Sequence, residues 1–292
     1  MPTARATLPV AEVCEAGIDW VTCTAKHVER RVALIDLARA IADREWQQQG
    51  EVREYTWQGY QMKQTGGITY GTRDADAICR LSGALANVFG LEVVKRADNI
   101  SRLDVQATCR FDPPRDDLGQ LAFRTAVRHF RRHPRAPRPR AHVTPEGYET
   151  VTLGSRASDW FGRIYDKYRE SGEARYAGCW RFELEIKGKT CPMVARALAH
   201  HEHPERSAIS LVRDHCARAG IKPAPFGIDA GMRRPSQARQ TTDDKRIKWL
   251  SEQGRSVVAG LTARGRWLDT YTALGFVQVY TFKRNKPAGG QA

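Results

Sequence analysis

The sequence predicts an α+β fold: an antiparallel β-sheet with helices packed on one face, and a tyrosine and several carboxylates on the other. Short runs rich in β-branched and aromatic residues are separated by glycine turns. Longer stretches have apolar residues at helical spacing, and two runs near the middle alternate residue by residue. Together these patterns are typical of a sheet that is covered by helices on one side only.

The N-terminal part is predicted to begin with a strand and an amphipathic helix. Residues 17–25 are rich in β-forming residues, and residues 28–48 have apolar side chains at helical spacing. Short runs follow at 55–62, 66–71 and 77–83, each bounded by turn residues. These runs predict antiparallel strands in a meander.

The next segment is predicted to contain two helices and a strand. Residues 84–88 and 118–130 have helical patterns, and residues 100–111 alternate as a strand. The strand has an apolar face with four members, which are Leu103, Val105, Ala107 and Cys109. Its polar face consists of Arg102, Asp104, Gln106 and Thr108.

A basic, proline-rich stretch follows at 131–142, with the sequence RRHPRAPRPRAH. Three prolines and the lack of apolar periodicity predict an extended loop or linker. It is either a solvated connector or a strap that contacts phosphates. The arginines that would make these contacts are Arg131, Arg132, Arg138 and Arg140.

The two alternating runs are predicted to form neighbouring strands that carry chemistry. At period two, Arg163, Tyr165 and Lys167 share one face of the first strand. The second run has an apolar face of Trp180, Phe182, Leu184 and Ile186, opposite Arg181, Glu183, Glu185 and Lys187. This strand is therefore predicted to be half buried. Carboxylates at i and i+2 raise each other's pKa unless a cation lies between them, which suggests a metal.

The remaining sequence predicts helices at 193–199 and 207–219, followed by amphipathic segments and a polar end. Four regions result. They are an N-terminal α+β part of a catalytic domain (1–130), a basic linker or loop (131–145), a tyrosine and glutamate hairpin with its following helices (146–225), and a helical C-terminal region with a disordered end (226–292).

The charge of the chain indicates a polyanionic partner. Forty-seven Lys and Arg residues oppose 33 Asp and Glu residues, for a formal charge of +14 and a pI near 9.7. Nucleic acid is the first candidate, and the alternative is that the charge serves solubility alone. In the tail, Lys245, Arg246 and Lys248 are further candidates for DNA contacts.

The composition also bears on the compartment. No apolar run approaches the length of a membrane span, and the N-terminus lacks a signal-peptide core. The seven cysteines contain no CxxC pair, which argues against a disulfide framework and a thiolate zinc site. We therefore expect a soluble cytoplasmic protein with buried thiols.

The central motifs resemble the replication initiation factor (Rep_trans) family, which includes rolling-circle initiators of plasmids and filamentous phages and relaxases of integrative elements. The resemblance is carried by Gly154-Ser-Arg, Arg163-Ile-Tyr-Asp-Lys, Glu170-Ser, Trp180-Arg-Phe-Glu-Leu-Glu and, upstream, Ile100-Ser-Arg-Leu-Asp-Val. Weaker matches at Gly17-Ile-Asp-Trp, Lys248-Trp-Leu and Leu274-Gly extend it over most of the chain. It implies a fold related to that of rolling-circle nickases.

The resemblance implies a DNA nicking and closing enzyme. Tyr165 would attack a backbone phosphate and leave a 5′ phosphotyrosine and a free 3′ hydroxyl. A phenol with a pKa of about 10 is a poor nucleophile at neutral pH, so Arg163 and Lys167 are expected to favour its anion and to neutralise the phosphate. Asp104, Glu183 and Glu185 are the expected ligands of Mg²⁺ or Mn²⁺, whose preferred ligands are hard oxygens.

Several alternatives stay open at the level of sequence. Family members often have a second aspartate where this chain has Thr108, so the metal site is either complete with the glutamates or weaker. Asp19 is another candidate ligand, and Tyr168 an alternative nucleophile. Glu183 and Glu185 could instead simply pair with Arg181 and Lys187 across the sheet. The stretch His200-His-Glu-His203 is better explained as a solvated helix end than as a metal site.

The expected partner is origin DNA, single-stranded or as cruciform or supercoiled duplex, and a host helicase and a second copy of the chain are further candidates. Alternative functions are a conjugative relaxase with the same chemistry and a non-catalytic DNA-binding regulator with the same fold.

Overall fold

A computed structural model describes residues 11–145 and 147–221, together with Met232. The first five strands are β1 (Glu12–Ala25), β2 (Arg53–Trp57), β3 (Tyr60–Thr65), β4 (Ile68–Arg73) and β5 (Asp76–Ser82). The other five are β6 (Asn99–Arg110), β7 (Pro139–Thr144), β8 (Gly147–Leu153), β9 (Trp160–Asp166) and β10 (Cys179–Lys187). The helices are α1 (Val28–Gln49), α2 (Gly83–Arg96), α3 (Leu118–Arg132), α4 (Lys167–Ser171), α5 (Cys191–Ala199) and α6 (Pro204–Arg218).

The ten strands of the described residues form one antiparallel sheet in the order β2-β3-β4-β5-β1-β6-β10-β9-β8-β7. Its centre combines strands from distant parts of the sequence, because β6 pairs with β1 on one side and with β10 on the other. The predicted meander is confirmed as β2 to β5. The sheet is therefore assembled from both halves of the chain, and the basic stretch does not divide it.

The apolar face of the sheet is covered by helices, which confirms the predicted fold class. Leu103 and Val105 of β6 and Phe182 and Leu184 of β10 are almost fully buried in a core shared with α1, α2, α3, α5 and α6. Each such side chain contributes about 1.5–3 kcal/mol through burial. The opposite face of β6, β10 and β9 has the charged and hydroxyl side chains.

Two elements are longer than their sequence patterns predict. Helix α2 continues eight residues beyond Val88, past Gly90, which is a poor helix former. Glycine is tolerated there because the helix packs closely on β1, and a Cβ on Gly90 would lie 3.2 Å from Ile18. Strand β1 begins at Glu12, and register shifts interrupt its pairing with β6 in three places. These β-bulges break the alternation on which strand prediction depends.

The basic stretch is not a loop throughout, and this part of the prediction is wrong. Helix α3 extends through Arg132, residues 133–138 are irregular, and Pro139–Thr144 form β7, which pairs with β8. Pro139 is the first residue of a strand at the end of the sheet order, where a missing backbone N–H is tolerated. A strand at the edge of a sheet tolerates proline and charged residues, whereas central strands exclude them. The sequence pattern of 139–144 therefore does not indicate a strand.

Apart from Met232, the predicted C-terminal helical region at 226–292 lies outside the described residues. None of the described helices combines the length and the apolar character needed to span a membrane. The described cysteines are all free thiols, and six of the seven are buried.

Candidate active site

The candidate site lies on the polar face of β9, β10, β6 and β1. Backbone register brings the predicted residues together: Glu183 pairs with Arg163 on β9, and Glu185 pairs with Asp104 on β6. On the same face, Arg181 pairs with Tyr165. Residues that are far apart in the sequence thus converge because β10 lies between β9 and β6.

Tyr165 is held by a carboxylate. Its hydroxyl donates a hydrogen bond to Oε1 of Glu183, and Oε2 of the same carboxylate forms an ion pair with Nη2 of Arg163 at 2.6 Å. Burial raises the pKa of Tyr165 well above its usual value, and the charge and hydrogen bond of Glu183 raise it further. The tyrosine is therefore protonated at neutral pH, with its proton directed at a carboxylate that can accept it.

Glu183 has the surroundings of a general base. Its side chain is only 4% exposed, and this burial raises its pKa although Arg163 opposes the effect. A carboxylate with a raised pKa is a stronger base than an ordinary glutamate, and it can accept a proton and release it again near neutral pH more readily. The guanidinium of Arg163 keeps the anion oriented toward Tyr165.

The other carboxylates are paired with cations. Arg102 donates two hydrogen bonds to Asp104, at 2.8 and 2.6 Å, and lies 3.1 Å from Oε2 of Glu185. Nζ of Lys187 lies 2.6 Å from Oε1 of Glu185. Burial raises the pKa of Asp104, while Arg102 acts in the opposite direction. Of the alternative ion pairs, that of Glu185 with Lys187 is present, whereas Glu183 pairs with Arg163 and not with Arg181.

Strand β10 is buried on both faces, so the prediction of a half-buried strand is wrong. Arg181, Glu183 and Glu185 are at most 9% exposed. Burial of charged side chains requires partners, and the cations come from β9 and β6, strands whose pairing with β10 the local pattern could not reveal.

The carboxylates have the ligand type that Mg²⁺ and Mn²⁺ prefer, but their arrangement does not fit a bound cation as it stands. Nη2 of Arg163 lies 3.7 Å from Asp104 and 2.6 Å from Glu183, and Arg102 bridges Asp104 and Glu185. Guanidinium groups thus lie where a metal would bind. In the described parts of the chain, no three His, Cys, Asp or Glu side chains are placed to hold a metal ion.

Thr108 is part of a buried support for Arg181. Its Oγ1 accepts a hydrogen bond from Nε of Arg181 at 2.8 Å and donates to Oε1 of Gln106 at 3.0 Å. The other end of Gln106 donates to Glu15 at 3.0 Å, and Glu15 also pairs with Nη2 of Arg181 at 3.0 Å. Asp19 lies 3.4 Å from Nη1 of the same arginine. Asp19 and Thr108 therefore hold a cation next to Tyr165.

An open cavity of about 420 Å³ gives access to the tyrosine. Three arginines line it, namely Arg156, Arg163 and Arg169. Thr150, Thr152 and Phe161 add hydroxyl and aromatic groups, and Glu149, Asp166 and Glu170 lie among the lining residues. The guanidinium groups equal the carboxylates in number, and their place beside the Tyr165 hydroxyl lets them bind the oxygens of a phosphodiester.

Lys167 does not share a strand face with Tyr165, which corrects the prediction. Strand β9 ends at Asp166, whose side chain accepts a hydrogen bond from the Arg169 amide at 3.0 Å and so starts helix α4 at Lys167. Nζ of Lys167 pairs with Glu170 at 2.5 Å and lies 5.4 Å from the ring of Tyr176. Tyr168, on the same helix, is 45% exposed.

The other predicted contact residues lie elsewhere. Arg131 and Arg132 are exposed in the last turn of α3, and Arg138 and Arg140 line a second cavity. Lys245, Arg246 and Lys248 lie outside the described residues.

The His200–His203 stretch connects α5 and α6. Nδ1 of His201 accepts a hydrogen bond from the His203 amide at 3.1 Å, and the described residues place no metal site there. His200 follows the last residue of α5 and His203 precedes the first residue of α6, so the stretch lies at helix ends, as the sequence predicts.

Sequence reasoning did not find several members of the site, notably Glu15, Tyr176 and Arg156. The hydroxyl of Tyr176 donates to Glu15 at 2.9 Å, although the two residues are far apart in the chain. No pattern in the sequence connects them, because Glu15 follows a bulge and Tyr176 lies in a short 3₁₀ turn. Arg156 belongs to the quoted Gly-Ser-Arg motif, which was the available signal.

No family model matches the chain, and no curated protein matches it. Among solved structures, the chain is similar to a rolling-circle replication initiator protein from Geobacillus stearothermophilus. The two are 20% identical, the match covers 63% of this chain and 78% of that chain, and the TM-score is 0.44. A similarity of this size assigns neither a family nor an activity, so the functional argument rests on the site.

Proposed function

We propose that this protein initiates replication by nicking and rejoining one strand of origin DNA through a covalent bond to Tyr165. The observation that carries the proposal is the hydrogen bond from the Tyr165 hydroxyl to the buried Glu183 carboxylate, at a cavity lined by three arginines. A hydroxyl nucleophile, an oriented base and cations for a phosphate are the parts that a strand-transfer reaction needs.

In the proposed step, the oxygen of Tyr165 attacks the phosphorus of a backbone phosphodiester. The phenolic proton moves to Glu183 as the O–P bond forms, and the bond from phosphorus to the 3′ oxygen breaks. The leaving 3′ oxygen takes up a proton and becomes a free hydroxyl, while the 5′ end stays attached to Tyr165. Rejoining reverses these steps, with the 3′ hydroxyl as nucleophile, so no other reactant is consumed.

Arg163 has two functions in this proposal. It orients Glu183 in the free protein, and its place in the cavity wall lets it bind a non-bridging phosphate oxygen when DNA is present. Arg156 and Arg169 line the same cavity and add positive charge where the transition state gathers negative charge. Lys167 stays a proposed contributor, at the start of α4.

A divalent cation is a requirement of the proposal that remains to be tested, and none of the reaction steps above depends on it. Asp104, Glu183 and Glu185 are its proposed ligands, and Mg²⁺ or Mn²⁺ would neutralise a phosphate oxygen. Because arginines lie between these carboxylates, binding would require Arg102 or Arg163 to turn away. Full nicking activity in the presence of EDTA would remove the cation from the proposal.

The proposed partner is origin DNA, presented as a single strand or as cruciform or supercoiled duplex. A helicase and a second copy of the chain are proposed partners of the resulting complex. A conjugative relaxase would use the same chemistry on a transfer origin, and the origin that is nicked decides between the two roles.

The decisive experiment compares Tyr165→Phe with Tyr168→Phe on supercoiled DNA that carries the cognate origin. Tyr168 is an exposed tyrosine three residues away, so its variant is the matched control. We expect open circles and a covalent protein–DNA adduct from wild type and Tyr168→Phe, and neither from Tyr165→Phe. An adduct on Tyr165→Phe would assign the nucleophile elsewhere.

A non-catalytic DNA-binding regulator is the second candidate. It is favoured by the ion pairs that occupy the carboxylates, because such a network also serves to stabilise a polar sheet face. Wild-type protein that binds the origin but never nicks it, with or without Mg²⁺ or Mn²⁺, would support this function.

A further inference from the structure

A second cavity, of about 450 Å³, lies at the same end of the sheet. It is formed by the end of α3, the irregular residues 133–138, the start of β7 and the end of α6. The side chains that matter are cationic or can become so: His129, His133, Arg135, Arg138, Arg140 and Arg218. Among the described residues that line it, none is an Asp or a Glu.

The positive charge of this cavity is largely uncompensated. Arg218 forms an ion pair with Asp214 at 2.8 Å. Within the described residues, Arg135, Arg138 and Arg140 have no carboxylate partner, and all three are exposed. Cations near the C-terminal ends of helices often only complement the helix dipole. That explanation does not extend to these three arginines, because they lie in an irregular segment and a strand.

The cavity is positioned next to the tyrosine cavity but on the opposite face of the sheet. Neighbouring residues of β9 line different cavities, since Trp160 faces the second one and Phe161 the tyrosine cavity. The loop between β8 and β9 joins them: Ser155 and Ser158 line the second cavity, and Arg156 lines the first. A path around this loop therefore connects the arginines of the two cavities along the protein surface.

We propose that the second cavity binds backbone phosphates of the DNA whose scissile phosphate lies at Tyr165. This inference rests on the proposed function and extends it by a separate anchoring site. A guanidinium group can donate two parallel hydrogen bonds to a phosphate, and a contact of this kind holds DNA in register without reading its sequence. The strand passes over the β8–β9 loop, so that anchoring at one cavity presents a phosphate to the other.

The local structure keeps the cavity in place. Gly220 packs directly against His129, because a Cβ at this position would lie 2.3 Å from that side chain. Gly154 has a φ of +100° and donates its N–H to the Arg138 carbonyl at 2.9 Å, which fixes the loop against the arginine segment. The arginines thus extend from a backbone that is anchored at both ends.

The test measures DNA binding apart from nicking, with full-length Tyr165→Phe protein and a fluorescent origin oligonucleotide. The salt dependence of the binding constant is compared before and after Arg135→Gln/Arg138→Gln. Each lost phosphate contact lowers the slope of log K against log salt by about 0.7 for a single strand and about 0.9 for duplex DNA. We expect a reduction of about 1.4–1.8 for the double variant.

The matched control is Arg39→Gln/Arg44→Gln, which removes two exposed arginines from α1, a helix that packs on β1, β3, β4 and β5 and not, among the described residues, on the strands of the second cavity. It should leave the slope nearly unchanged. Arg135→Lys/Arg138→Lys keeps the charges and should retain most of the slope. This result would show that the positive charges, and not the exact side chains needed for folding, account for the loss in the Gln variant. The proposed phosphate site would be refuted if both Gln pairs lowered the slope equally, or if neither pair changed it.

A small phosphorylated ligand shares the same chemistry, and a second arm separates the two sources. Thermal unfolding is followed with inorganic phosphate and pyrophosphate. Stabilisation that depends on Arg135 and Arg138, with an unchanged DNA salt slope, would assign the cavity to a small anion and refute the DNA anchor. If wild type does not nick the origin but the Arg135→Gln/Arg138→Gln variant still lowers the salt slope, the proposed function is refuted and the phosphate site stands.

Discussion

The substitution Thr108→Val tests whether this residue supports Arg181. Valine has nearly the shape of threonine but lacks the hydroxyl, which accepts from Nε of Arg181 at 2.8 Å and donates to Gln106 at 3.0 Å. Thr108, Gln106 and Arg181 are at most 5% exposed, so water cannot replace the lost partner without rearrangement. A hydrogen bond to a charged group contributes about 1.5–3 kcal/mol, and a buried amide oxygen left unsatisfied costs about 1–3 kcal/mol.

These two effects overlap, because both follow from one missing hydroxyl. We therefore expect the free energy of unfolding to fall by about 2–4 kcal/mol. Guanidinium denaturation followed by tryptophan fluorescence measures the change as a lower midpoint at a constant slope.

The matched control is Thr108→Ser, which keeps the hydroxyl and removes one methyl group, at a cost of about 0.8 kcal/mol. If the valine variant unfolds at the same denaturant concentration as wild type, or above the serine variant, the hydroxyl does not hold Arg181. The position would then be free for another function, such as a ligand.

Three further predictions concern the catalytic base, the packing of β9 and the dependence of stability on pH. Glu183→Gln should slow nicking about 10²–10⁴-fold; wild-type activity should be lost as pH falls through the raised pKa of Glu183, and the variant should lack this limb in a pH–rate profile. Gly162→Ala should destabilise the fold by about 1–3 kcal/mol in chemical denaturation, because its Cβ would lie 2.8 Å from His215. An unchanged denaturation midpoint would contradict this close packing. Burial raises the pKa of Asp98, but hydrogen bonds such as that from the His27 amide outweigh it and lower the pKa overall. Asp98→Asn should therefore be less stable than wild type at pH 7, and the difference should shrink as pH falls toward that lowered pKa; a pH-independent difference would contradict this linkage.

The sequence predicts the fold where patterns are regular. The alternation around Asp104 and Glu183 and the turn-bounded runs of the meander correspond to strands in the structure. Prediction failed where tertiary packing overrides the local pattern: Gly90 sits inside a helix because β1 approaches it, and Pro139 begins a strand because the strand lies at the end of the sheet order.

The candidate site was only partly accessible from sequence. Alternation predicts that Tyr165, Glu183 and Asp104 face the same way, but not that β10 lies between the other two strands. Strand order depends on pairing between distant segments of the chain. The ion pairs of Arg163 and Arg102 depend on that order, so the sequence did not predict them. The proposed roles of these residues, and of a metal, stay predictions for the experiments described above.

The central position of β6 also has a consequence for how the protein is made. As the chain leaves the ribosome, β6 can pair with β1, but its other edge stays open until β10 has been synthesised. At about 5–20 residues per second this interval lasts several seconds. An open strand edge invites pairing with other chains, so nascent protein needs protection during this time. A fragment that ends before Cys179 would keep that edge and could not assemble the site.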